Sequence, residues 1–163
     1  MDSRAIAEAL DELQPEPSLH TDKKEVIDRT QKALAGVWIA LRPVVIPRVP
    51  VMLLPERSAE YFTRTRTEDF GMPLADVAKS EKAVHAFENV APAIETLKGV
   101  FQETEGKFIL GEEPSFADFV VAGAWAFLEV TDRDGDLFER VVLREPVFKA
   151  HWEACQPWFE RKD

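Results

Sequence analysis

Among 163 residues with one cysteine and three histidines, few side chains have the type and spacing for chemistry. His151 and Cys155 lie four apart on an apolar-periodic stretch and so share a helix face, where an imidazole can draw the proton from a thiol. No orienting third group and no oxyanion donor accompanies them by spacing, so they read as a structural cysteine beside a surface histidine. The run from Asp132 to Asp136, DRDGD, has the look of a calcium loop. With Gly135 in the sixth position, however, the first ligand falls on Val130 and no glutamate stands twelfth, so the segment is a turn. No cysteine and histidine spacing fits zinc, and no phosphate loop or nucleotide fingerprint is present, so no metal or cofactor is called for. Two constellations remain. Ser115 and Asp118 stand ahead of an apolar run at the spacing of a capping box, in which each side chain bonds the other's backbone N–H. Arg57, Arg64 and Arg66 surround Tyr61 and Phe62; guanidinium groups so placed suit a ligand carboxylate or pair with Glu60 and Glu68.

The elements that position these groups read as helices throughout. Phe119 to Leu128 is apolar on every face, which on a helix means burial all round. Ahead of it, Gly111 supplies a turn that a side chain would obstruct, and Pro114 with Phe119 reads as a hydrophobic staple. The first element is a short amphipathic helix with Ala5, Ile6, Ala9, Leu10 and Leu13 on one face and Asp2 or Ser3 as cap. It stops before Pro15 and Pro17, and residues 14–21 form a linker. Thr21 or Asp22 then caps a long helix through Ile27, Leu34, Trp38 and Leu41 that stops near Pro43. Four prolines in PVVIPRVPVMLLP predict a kinked connector. A helix over 58–69 closes at Gly71, and another runs from Leu74 through Val84, Val90 and Leu97 to Gly106, kinked at Pro92. Helices over 137–143 and 146–159 complete an all-α bundle of six to eight helices.

A chain of this length makes one domain with a substantial core. Its net charge of −10 repels phosphate backbones and anionic lipid, which argues against nucleic acid or membrane as partner. The opening residues do not read as a signal peptide, and no apolar run approaches membrane-spanning length. A single cysteine, unable to form an internal disulfide, fits a reducing compartment, so the expected location is the cytoplasm.

The order Gly111, three residues, Ser115, any residue, Ala117, Asp118, then an apolar helix carrying Trp125, resembles the core helix of the glutathione transferase C-terminal domain. The block from Pro55 to Leu74, with Tyr61–Phe62, its arginines and Phe70–Gly71, resembles the fungal and bacterial branch related to β-etherases. The resemblance covers nearly the whole chain. Residues 1–20 match the last helix of the thioredoxin-like domain plus a linker, and 21–163 match the helical domain, so it implies an all-α, glutathione S-transferase C-terminal-like bundle. It also implies a pocket for a small hydrophobic molecule at Trp38, Arg42, Ile46, Tyr61, Arg66 and Trp125, with Arg42 and Arg66 anchoring an acidic or carbonyl group. Asp2 and Ser3 match the acidic residue and serine that bind the γ-glutamyl end of glutathione. The hold they offer is weak, because the family's thiolate-stabilising residue belongs to the part of the domain that would precede Asp2. Ala9 also stands where the family usually has an aromatic residue. Three functions fit the resemblance. One is a specialised isomerase, lyase or cyclase of the kind found in secondary metabolism; the others are a non-catalytic interaction or ligand-carrier module and a fragment of a glutathione-dependent transferase or etherase. The uncovered pocket wall implies that a ligand, a second copy in a homodimer or another protein covers it.

Overall fold

In the computed structural model, which describes residues 3–133 and 135–160, every regular element is helical. The first, α1 (Ser3–Leu13), does not face the way its apolar stripe predicts: Ile6, Leu10 and Leu13 are exposed, and Ala7 is buried instead. Polar bonds decide its rotation. Arg4 reaches Asp28 at 2.5 Å. Asp11 accepts from the Leu19 N–H at 2.7 Å and from the Thr21 N–H and hydroxyl at 3.1 and 2.8 Å. Burial opposes ionisation of Asp11, yet the bonds from Leu19, Thr21 and Ser18 outweigh it and hold the carboxyl below its usual range.

Thr21, engaged by Asp11, is not the cap of the next helix; α2 (Lys24–Val45) begins after Lys23 with no side-chain cap. It also runs through Pro43 and continues by a 3₁₀ turn, Ile46–Arg48, into α3 (Val49–Met52). The expected break is absent because Pro47 and Pro50 each fall in the first turn of a new short helical unit, where a missing N–H forfeits no bond. The helical run Lys24–Met52 is, by length and composition, long and apolar enough to cross a membrane, contrary to the sequence expectation. Its apolar residues Ile27, Leu34, Val37, Leu41 and Val45 are core residues here.

The next helix, α4 (Glu56–Phe70), ends as expected at Gly71, which takes the left-handed conformation at φ 67°. The single long helix expected from Leu74 is three: α5 (Leu74–Val77), α6 (Glu81–Val84) and α7 (Ala86–Phe101). Ser80 starts a new unit by accepting from the Ala83 N–H at 3.3 Å, and the break at His85 turns Val84 out to solvent. The core helix α8 (Phe116–Thr131) follows. After it come a π-helical turn over Glu139–Leu143, then α9 (Pro146–Cys155) and a 3₁₀ turn, Gln156–Trp158, where Pro157 prevents a longer helix. These divisions raise the count to nine α-helices among the described residues. The core lies between α2, α7, α8 and α9. Contacts of Arg29 with Glu103, just past the end of α7, and of Gly36 with Ala93 run in opposite order along the two helices, so α2 and α7 are antiparallel.

Candidate functional site

Four polar contacts converge on the buried Asp118 side chain. Both contacts of the box with Ser115 are made. Asp118 Oδ2 accepts from the Ser115 N–H at 2.8 Å and from its hydroxyl at 2.6 Å, and Oδ1 accepts from the Ile109 N–H at 2.8 Å. The Phe116 N–H, an orphan at the helix start, donates to the Leu19 carbonyl at 2.8 Å and pins the linker there. His151 Nε2 lies 3.2 Å from Oδ1, with both side chains wholly buried.

His151 is thus not the surface residue its spacing suggested, and the third group missing from the sequence reading exists. The wiring is nonetheless wrong for an activated thiol. Asp118 and Cys155 Sγ, at 3.2 and 3.5 Å, address the same ring nitrogen. A carboxylate there can only accept, so Nε2 carries the ring proton and has no lone pair to take one from sulfur. Nδ1, which an orienting acid would occupy, has no hydrogen-bond partner among the described residues. Burial, and secondly the Asp118 charge, push the Cys155 thiol up to about 12. The constellation ties α9 to the entry of α8; it does not make a nucleophile.

Of the residues singled out as pocket-lining, Arg42 and Arg66 are brought together from two helices. Arg42 reaches Asp69 at 3.7 Å, and Arg66 bonds the same carboxylate oxygen. Each guanidinium also lies over a ring, Arg42 on Phe70 at 4.6 Å and Arg66 on Phe62 at 5.3 Å. Trp38, one turn before Arg42, is half-buried edge-on against Phe127, and Ile46 is half-buried beyond it. Tyr61 is 65% exposed, beneath Arg64 rather than in this cluster. Trp125 is completely buried against Phe148, so it belongs to the core and lines no open pocket. Ser3 is exposed at the start of α1, and Asp2 lies outside the described residues. Sequence reasoning missed Asp69; its place three residues after Arg66 on a helix was the available signal.

Several concave surfaces lie elsewhere, two of which involve α2 and the prolines after it. One, of about 550 Å³, runs between α2 and α7 over Ala33, Gly36 and Ala93, with Arg29, Lys32 and Glu103 at its rim. The other, of about 430 Å³, lies among the prolines after α2, one side of α4, and α5. At its edge Arg48 grips Asp136 with two bonds of 2.8 and 2.6 Å, which hold that carboxyl below its usual range. Of the DRDGD segment, Asp134 lies outside the described residues, and Asp132, Arg133, Gly135 and Asp136 belong to no helix or strand. Asp132 accepts from the N–H groups of Asp136 and Phe138, and no group of acidic, histidine or cysteine side chains fit for a metal occurs among the described residues.

The chain, an all-helical domain whose buried core helix is entered through a Ser–Asp box, belongs to the glutathione S-transferase family. Residues 29–158 match the C-terminal domain of the glutathione S-transferase family. The chain is also 33% identical, over 179 residues, to the glutathione S-transferase-like protein ustS of Aspergillus flavus. That match takes in 98% of this chain but 61% of the relative, so the chain spans less than two thirds of the relative's length. No solved structure matches it.

Proposed function

We propose that this chain is the helical part of a glutathione S-transferase-like protein that binds a small hydrophobic molecule bearing an acidic or carbonyl group on the α2–α4 face, and that it acts there as an isomerase, lyase or cyclase rather than by conjugating glutathione. The observation carrying this reading is the convergence of Arg42 and Arg66 on one carboxylate. Two cations facing one anion leave a net positive charge over the rings of Phe62 and Phe70, one helical turn from Trp38. Conjugation is disfavoured by the chain's own residues. Cys155 is buried with its thiol kept neutral, and Tyr61 lies under Arg64 on the outer side of α4.

The test uses anilinonaphthalene sulfonate as a hydrophobic anionic probe, with Arg42→Ala and Arg66→Ala made singly and thermal unfolding followed in parallel. Each change is expected to weaken probe binding several-fold, on the order of 1 kcal/mol, with the fold intact. Unchanged binding in both variants would move the site elsewhere, and turnover of glutathione with a chlorinated nitroarene at ordinary transferase rates would overturn the non-conjugating part. A second reading, an interaction module, is favoured by the exposed stripe Ile6, Leu10 and Leu13 on α1. A stable complex lost on changing Leu10 and Leu13 to Ser, with probe binding unaltered, would support it.

A further inference from the structure

We propose that the groove beside α5 is a second binding site, separate from the Arg42–Arg66 cluster, for a small monoanionic carboxylate with a flat or branched apolar body. Its cavity of about 430 Å³ falls within the range of small-molecule sites, roughly 300–1,000 Å³. Pro47 and Pro50 form part of the wall, and their fixed backbone angles give a surface that needs little ordering when a ligand arrives. Met52 adds an adaptable contact, and Thr63 of α4 supplies the single hydroxyl.

Charge gives the ligand class. In a chain of net charge −10, no aspartate or glutamate among the described residues lines this groove, and its charged lining residues among them are Arg48 and Arg133. The other grooves among the described residues that hold cations mix them with carboxylates, Glu103 in one and Glu95 with Glu145 in another. Arg48 is engaged with Asp136, so its positive charge is largely matched. Arg133 is exposed and pairs with no carboxylate among the described residues, which leaves a guanidinium at the mouth for one incoming carboxylate. A dianion or phosphate would find one such group, a monoanion a matched one. The apolar walls exclude a wholly polar acid.

The test is calorimetric titration of the full chain with cinnamate and, separately, with cinnamamide, which has the same body without the charge. Cinnamate is expected to bind more tightly on the order of tenfold. Arg133→Gln should abolish that preference while leaving cinnamamide binding alone, and Ala78→Trp, which fills the groove from an exposed position, should remove both. All these titrations are run in an Arg42→Ala, Arg66→Ala background, which removes the contribution of the α2–α4 face, itself a site for an acidic hydrophobic molecule; loss of the cinnamate preference in that background would also overturn the proposal. Retained binding in a folded Ala78→Trp variant, an unchanged preference in Arg133→Gln, or absence of saturable cinnamate binding by the parent would each overturn the proposal.

Discussion

Asp118 carries more of this structure than its place in a capping box requires. In an ordinary box, replacing the Ser115 side chain forfeits one cap, a cost of about 0.5–2 kcal/mol. Removing the Asp118 carboxylate strips acceptors from the N–H groups of Ile109 and Ser115 and from a fully buried histidine at once. Asp118→Ala is therefore expected to cost roughly 3–5 kcal/mol, the range for taking one partner from a buried pair. Equilibrium unfolding in denaturant ranks the two variants, and equal losses would deny the His151 contact any weight. Cys155 gives a pH prediction. Its thiol moves from an ordinary 9.0 up to about 12 in the folded chain. Below 9 both states keep the proton. Above it the unfolded chain releases a proton that the folded chain holds, so stability present at neutral pH declines as pH rises from 9 toward 12. Between roughly pH 8 and 10.5, the unfolding midpoint of the parent should fall more steeply than that of Cys155→Ala. Parallel slopes would mean the thiol is not held neutral.

Among the elements, the short loop before α8 depends on two glycines of which the sequence singled out the less constrained. Gly111 has φ 113°, and it exchanges backbone bonds with Phe108 at 2.9 and 3.0 Å. Gly106, read from sequence only as the end of a helix, has φ 139°, and a Cβ there would stand 2.4 Å from the Gly111 carbonyl. Both the backbone conformation and the space exclude a side chain. Gly106→Ala should cost about 2 kcal/mol or more and shift the loop that carries Ile109, visible as slower folding-protected exchange lost at the Ile109 amide. A variant as stable as the parent would show that this approach of the two backbones is dispensable. The prolines after α2 teach the opposite lesson. Counting them predicted a break, whereas their spacing lets each begin a helical turn instead of interrupting one.

Over the whole molecule, α1 and the linker behave as part of the helical domain, with Ala7 in the common core and Asp11 fastening Leu19 and Thr21. Since Leu19 in turn receives the Phe116 N–H, the linker joins α1 to the start of α8. Asp11→Ala should release it, with faster amide exchange at Leu19 and Thr21 and a lower unfolding midpoint. Because the Asp11 carboxyl is held below its usual range, the stability it contributes is present above that range and is lost as pH falls through the lowered value. Exchange unchanged by the substitution would mean that the linker is held by other contacts.

The sequence by itself determined the helical class, the family, the start of α8 and the close of α4. Each of these is written in local chemistry: a Ser–Asp pair three apart, a glycine able to take positive φ, an apolar run too long for a strand. Arg42 and Arg66 were legible as types suited to an anion, and their meeting on Asp69 depended on how α4 folds back on α2. Tertiary structure alone decided which face of α1 is buried, that Trp125 is core, and that Asp118 and Cys155 share one nitrogen of His151. Periodicity states that a helix has an apolar face; where that face turns, and which distant groups meet across the core, depends on polar bonds and packing between elements far apart in the chain.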